Sequence, residues 1–442
     1  MTTGRGRRSS IATVAGTAMA IVLSSCAVLS TSVREDDTPD TVSTTITDEP
    51  VTLRLAFTDD PPTQALVDGF TEKYPNVTVE TQQTQFTDYI KTVKLSMSSE
   101  DPPDIAQYNP GAMESLVPAG LILDLDRHSD AYGWEDTFPA SSLEALRTDE
   151  EATEYGSGSL YAVPGALSIL GVFYNKALLA EAGIDQPPST LEEFEQALER
   201  VQDNGTTPLN MGGLEVGGFQ LWNALLNVLG DQEEYRSWVY GAPDATIETE
   251  AAGEATRTLT RWSEEGYLPQ DANATSDDDA QAEFANGESA FLVTGNWAAA
   301  ELSQDMGEDV GFFLMPGPTG KETPVASGSS VSYAISSQSE HYDVAAAFLE
   351  HLGSPEGVQA QLENGFMPVD PEATTESQGV EGEINAGFGR VIDEETLVPF
   401  PDFATPGMVD QLTPGIQGLV AGTTSEEEFL HTLQQEWEDH HE

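Results

Sequence analysis

The chain holds a single cysteine, Cys26, among 442 residues, so no intrachain disulfide can brace its fold. Positive charge is also scarce. Seventeen Lys and Arg face 76 Asp and Glu, a formal net charge of −59, and only five of the seventeen are lysines. Such a surface repels phosphate rather than neutralising it, which argues against nucleic acid as a partner. An acid excess with few lysines suits high salt, and equally a secreted protein that must stay soluble; both readings stand. Long apolar runs are missing too, since residues 11–23 are apolar but too short to span a bilayer comfortably. His128, His341, His351, His431, His440 and His441 lie away from the loops singled out below as candidate ligand contacts. The acid run 277–279 lacks the glycine and spaced oxygens of a calcium loop and reads as a solvated helix start. No metal or cofactor is expected.

What is present begins at the N-terminus. Arg5, Arg7 and Arg8 precede the apolar stretch, and Leu23-Ser24-Ser25-Cys26 closes it with small residues ahead of the lone cysteine. The arrangement resembles a bacterial lipoprotein signal over residues 1–25, in which Cys26 is lipidated and becomes the new N-terminus. A plain signal peptide cut nearby is the alternative. Loss of residues 1–25 removes three arginines and no acid, which takes the formal charge from −59 to −62. Residues 26–50 are Thr, Ser, Asp and Pro with few large apolar side chains, so a disordered tether is expected.

A chain this long suits two domains rather than one core. Folded sequence begins at Val51. The alternation of VTLRLAF predicts a strand, residues 65–74 an amphipathic helix ended by Pro75, and NVTVE a second strand. Strand, helix, strand implies a parallel sheet with a right-handed crossover. Residues 89–97 are expected as helix, followed by Pro102-Pro103-Asp104-Ile105. Ligands of such sheets sit at the carboxyl ends of the strands. The loops there supply Asp59 and Asp60, Gln83, and Tyr108 with Asn109. Residues 161–201 change periodicity three times: extended Y-A-V-P, an apolar strand over 169–174, a helix opened by Asn175, and a second helix capped by Ser189 or Thr190 with Glu193. Downstream, 289–293 reads as a buried strand, and Thr294-Gly295-Asn296-Trp297 turns into a helix. Residues 221–229 are apolar on most sides, so Trp222 reads as core, as does the stripe Phe429, Leu433, Trp437.

Y-A-V-P with its short strand, F-Y-N-K, the A-G-I turn and P-S-T-L-E-E-F, together with P-D-I, G-L-I-L-D-L and the G-N-W turn, resembles the extracellular solute-binding proteins of ABC importers, the large family that includes maltodextrin and other sugar binders. The resemblance runs in order from Val51 to Trp437. It implies a periplasmic-binding-protein-like α/β fold of two discontinuous lobes joined by hinge strands. Lobe 1 is expected over 51–163 and 311–365, lobe 2 over 164–310 and 366–442, with crossings at 161–164 and 311–316. The ligand set it implies is Asp59, Gln83, Tyr108, Asn109, Ser168, Phe219, Asn296, Trp297 and Ser329. Trp297 matches the G-x-W tryptophan that lies on the ligand in sugar-binding relatives, where a sugar's C–H face packs on the ring and Asn296 meets its hydroxyls. For Tyr108, an aromatic platform and a loop tyrosine packed on its own lobe are both open. Ser329 stands in a glycine loop facing the cleft or in a plain turn. Over 401–408, where maltodextrin binders carry a further stacking tryptophan, this chain has Phe403, Pro406, Gly407 and Met408, which argues against a long maltodextrin.

The implied function is capture of a sugar or short oligosaccharide for the permease subunits of an ABC importer, at the extracellular face of a bacterial membrane, without catalysis. Two alternatives stay open. A cationic solute such as a polyamine would be caged by rings and carboxylates. An extracellular carbohydrate-active enzyme needs two opposed carboxylates at a scissile bond, and no Asp or Glu here stands in a recognisable catalytic motif.

Overall fold

Strand β1 (Val51–Thr58) forms where Val51, Leu53, Leu55 and Phe57 alternate, and all four are buried. Helix α1 (Thr63–Lys73) turns Leu66, Val67 and Phe70 inward at helical spacing. It returns the chain to β2 (Val77–Thr84), parallel to β1 with Val51 opposite Val77. Helix α2 (Phe86–Met97) begins earlier than its apolar spacing suggests, because the Gln85 side chain accepts the Thr87 and Asp88 N–H groups as its cap. Strand β3 (Ile105–Tyr108) then joins β1 in parallel, and α3 (Pro110–Leu116) follows. The computed structural model describes residues 42–58, 62–108, 110–153, 155–320, 324–369 and 378–441.

The 13-residue β4 (Val163–Asn175) is buried along its whole length, as its apolar sequence requires. Helix α4 (Leu191–Asp203) starts on a capping box: Thr190 Oγ1 accepts the Glu193 N–H at 3.1 Å, and the Glu193 carboxylate accepts the Ser189 N–H at 2.9 Å. After it come β5 (Thr207–Asn210), α5 (Gly217–Leu229), α6 (Asp277–Ala285), β6 (Ser289–Gly295), β7 (Val310–Phe313) and β8 (Ala326–Ile335). Helices α7 (Tyr342–Leu352) and α8 (Pro355–Glu363), β9 (Leu397–Val398), α9 (Met408–Val420) and α10 (Glu426–His441) complete the set that positions the site. The sheet runs β2-β1-β3-β8-β4-β6-β5, with β9 beside β8 and β7 beside β4.

Two strands carry the chain between bodies. The first half of β4 pairs with β8, and its second half, Leu170 to Asn175, pairs with β6 and β7. One large core gathers β1, β3, α1 and α7, with Phe70, Trp134 and Phe348 fully buried. Another gathers α4, α5, α9 and α10 around Trp222, Trp262 and Phe291, and a smaller one lies along β4 and β6. Residues 311–316, expected as the second crossing, instead continue the second body. Their strand β7 pairs antiparallel with β4, and Phe312 and Leu314 sit in the smaller core. The second passage is β8, which pairs with β9 at its start, β4 in its middle and β3 at its end. A third passage follows α8, where Leu167 bridges Met367.

The tether expected over 26–50 is strapped down in its described part. Asn76 Nδ2 donates to Thr47 O and Glu49 O, each at 2.9 Å, and Ile46 packs on the first core. Cys26 lies outside the described residues. Among those described, no helix is long and apolar enough to cross a membrane.

Candidate functional site

Between these bodies, at the carboxyl ends of the strands, lies a cleft of about 620 Å³. From the first body it is walled by α2, through Phe86, Tyr89 and Ile90. From the second come the first turn of α5, the turn after β6, and residues 400–403. Ser168 on β4 and Ser329 on β8 line it from the crossing strands and face each other in register. Ser168 Oγ donates to Ser329 O at 3.1 Å, and the Ser329 N–H meets Ser168 Oγ at 3.3 Å. The structure thus brings these two expected residues together.

Trp297 also lines the cleft, partly exposed, with its ring 6.3 Å from Phe400 at 53°. Gly295 makes that pose possible. A Cβ there would stand 1.9 Å from Trp297 Cζ3, so only a glycine lets the indole fold back across the strand end. Phe219, third in α5, reaches the cleft with little of its surface, being 2% exposed and otherwise core. Trp222 is wholly core, its indole N–H held by Thr256 Oγ1 at 2.9 Å.

Two expected residues are not brought there. Asn296 is 0% exposed, and its amide is fully engaged: it accepts the Ile169 N–H at 2.8 Å and donates to Leu167 O at 3.3 Å and Gly365 O at 3.0 Å. It ties β4 to the third passage instead of meeting a ligand. Gln83 is exposed on β2, the edge strand, and takes no part in the cleft lining; Gln85, the cap of α2, does. Tyr108 ends β3 with its backbone opposite Ser332, and its side chain is outside the description. Asp59 and Asn109 lie outside the described residues.

The structure adds carboxylates that sequence reading passed over. Asp277, first residue of α6, turns inward instead of facing solvent. Its carboxylate accepts the Gly217 N–H at 3.0 Å and the Val216 N–H at 3.3 Å, which caps α5 where Val216 offers no side chain. Glu215 in turn accepts the Asp277 N–H at 2.9 Å. Burial, and then the neighbouring Glu215, push the Asp277 carboxyl up to about 7, against the opposing pull of the two N–H groups. Asp402, in the short turn Pro401–Phe403, lines the cleft, and burial lifts its carboxyl to about 7 as well. Chain spacing gave no sign of either, because both are placed by contacts between distant segments.

The described cleft lining holds the carboxylates Glu215, Asp277, Asp278, Glu301 and Asp402 and no Lys, Arg or His. An anionic ligand would meet uncompensated negative charge there. Among the described residues no group of three His, Cys, Asp or Glu is placed to hold a metal ion.

Comparison with known proteins agrees with this architecture. The profile of the family described as bacterial extracellular solute-binding protein matches residues 56–359. The multiple sugar-binding protein of Streptococcus mutans is 23% identical over 321 residues, covering 71% of this chain and 73% of that protein. Maltodextrin-binding protein MdxE of Bacillus subtilis is 22% identical over 373 residues, 82% of each. Among solved structures, a chitin oligosaccharide binding protein superposes with a TM-score of 0.75 at 22% identity, covering 89% of this chain and 99% of that one. The family and these relatives are binding proteins, and the family's place is outside the cytoplasmic membrane. The matched stretch covers most of the first core, the passages through β4 and β8 and the part of the second core that precedes α9, and the chain belongs to the bacterial extracellular solute-binding proteins.

Proposed function

We propose that this chain captures a neutral sugar or short oligosaccharide in its cleft and presents it to the permease subunits of an ABC importer, held at the outer membrane face by lipid on Cys26. The observation that carries the reading is the cleft itself: about 620 Å³, with Trp297 and Phe400 on one wall, the Ser168–Ser329 pair between the bodies, and no cation in the described lining. A sugar ring offers what such a wall takes up, an apolar C–H face for the aromatic rings and hydroxyls for the serines and carboxylates. The relatives' names, multiple sugar-binding and maltodextrin-binding, support the same class. Capture without catalysis is supported by Asp277 and Glu215, whose carboxylates are engaged with backbone N–H groups at helix starts. The lobes of this proposal divide within β4 and β8 and at residues 365–369, with Asp59, Tyr108 and Asn109 completing the ligand set from the first lobe.

Thermal unfolding tests the class. Maltotriose, xylobiose, raffinose, N,N′-diacetylchitobiose and spermidine are screened separately against the full chain. A ligand at about a hundred times its Kd adds about 2.7 kcal/mol of stability, and a rise in Tm with at least one sugar is expected. A rise with spermidine alone would replace the carbohydrate reading with a cationic one.

A further inference from the structure

Asp402 is the least accounted-for charge in the cleft. It sits between Phe400 and Phe403, whose rings are 5.8 Å apart at 72°, and Phe400 in turn meets Trp297. The backbone beneath it is fixed. Pro399 O accepts both the Tyr235 hydroxyl and Ser327 Oγ at 3.0 Å, and the Phe403 N–H closes the turn on Phe400 O at 3.2 Å. Asn227 Nδ2 holds Ser327 Oγ at 2.9 Å, so the segment is anchored to α5 and to β8 together.

The carboxylate on this turn is part-exposed on the cleft wall. Among the described residues its only hydrogen-bonding partner is its own backbone N–H, and no Lys, Arg or His lies in the described lining with it. The Tyr235 hydroxyl, the nearby donor, is already spent on Pro399 O. A carboxylate offers about four lone-pair sites, and on the part-exposed cleft wall those of Asp402 are open to a ligand's donors. Burial disfavours its charged form. Asp277 differs in this respect, since two backbone N–H groups occupy it.

We propose that Asp402 is the polar specificity determinant of the ligand site, accepting two hydrogen bonds from adjacent hydroxyls of a neutral sugar whose apolar face lies against Trp297 and Phe400. This rests on the carbohydrate reading of the cleft. A vicinal diol presents two O–H donors at the spacing of two carboxylate oxygens, and a donor pair on one acceptor fixes a ring's orientation as well as its affinity. The turn thus presents a carboxylate flanked by two phenylalanines, which selects hydroxyl configuration more than ring area.

Isothermal titration of the full chain with maltotriose, xylobiose, raffinose, N,N′-diacetylchitobiose and spermidine, on wild type and Asp402→Asn, tests it. The Asn side chain keeps the shape and removes one acceptor. Its effect on any sugar that wild type binds is expected to be a tenfold to hundredfold rise in Kd, at about the size of a hydrogen bond to a charged group. Tm of the free variant, equal to or above wild type, shows that the fold is kept; Asp402→Ser gives the same comparison if Asn disturbs it. A sugar bound equally well by wild type and both variants overturns the assignment and leaves the carbohydrate reading intact. Binding of none of the four sugars by wild type overturns that reading and this inference with it. Binding of spermidine that is lost in Asp402→Asn means the carboxylate reads an amine, which overturns the diol assignment.

Discussion

Asn296 and Trp297 are neighbours with opposite duties, and the pair shows what a residue's type leaves open. Gly-Asn-Trp at a strand end nominates both for the ligand, yet the backbone turn sends the indole to the cleft and the amide into the fold. Trp297→Ala is expected to raise the Kd for a bound sugar by tens of fold, since an aromatic stack is worth about 0.5 to 1.5 kcal/mol beyond burial at about 25 cal/mol per Å². Because the ring also touches both cores of the second body, some stability should go with it. Asn296→Ala should act the other way round. Three buried backbone groups lose their partner, each at a cost of about 1 to 3 kcal/mol, so unfolding in urea should shift far more than for Trp297→Ala. Titration and urea unfolding of both variants separate the roles, and equal losses of affinity would contradict the division. Side-chain direction was the missing information for Asn296, and likewise for Gln83, which sits two residues from the glutamine that reaches the cleft. Trp222 and Trp437 were legible as core, because apolar periodicity on a helix is itself a statement about direction.

Elements were legible where their chemistry is local. Ser354 Oγ accepts the Gly357 N–H at 3.1 Å with Pro355 first in α8, and Ser425 Oγ accepts the Glu428 N–H at 3.2 Å ahead of α10. Passage through β8 was not, since its first half, Ala326 to Ser330, is small and Ser-rich and reads as a loop or turn until its pairing with β4 is seen. The same blindness covers contacts between helices of different bodies. His440 on α10 stands 3.2 Å from Glu114 on α3, and Lys91 on α2 is 3.3 Å from Asp410 on α9. The bond to Glu114 raises the His440 pKa, burial opposes this, and Glu436 adds to the rise; His441 packs edge-on 4.8 Å away. A raised histidine pKa means an attraction fully present below the ordinary value of about 6.5 and lost as pH climbs through the raised one. In a hinged protein that attraction favours the closed form, so its loss weakens ligand binding as pH rises. Asp402 titrates in the same region with opposite sign if its ionised form accepts the ligand, so the raw profile mixes the two. The ratio of Kd for His440→Gln to Kd for wild type isolates the latch. It should exceed one at pH 5.5 and fall to one by pH 9, whereas a flat ratio would remove His440 from closure.

At the scale of the whole molecule, closure sets a few attractions against a large repulsion. The attractions are α2, whose Phe86 and Ile90 pack against the second body's core, and the two ion pairs just described. The exposed Lys91–Asp410 pair is worth about 0 to 1 kcal/mol, and the largely buried Glu114 leaves its pair with His440 little screened by salt. Opposing them is a formal charge of −59, in which 76 acids are answered by 17 bases, so bringing the lobes together concentrates like charge. Salt acts on both sides, shortening the Debye length from about 30 Å at 0.01 M to about 3 Å at 1 M. The two pairs have little to lose, the dispersed repulsion has much, and apolar packing across the cleft is not screened. Salt should therefore favour closure, opposite to what the cross-lobe ion pairs alone would give. Small-angle scattering of the ligand-free protein is expected to give a smaller radius of gyration in 1 M than in 0.01 M NaCl, and a saturating sugar should compact it at both. A radius that grows with salt would mean the ion pairs dominate. One that ignores both salt and ligand would mean that β4, β8 and the third passage hold the two bodies as a rigid unit, and the cleft fills without a hinge.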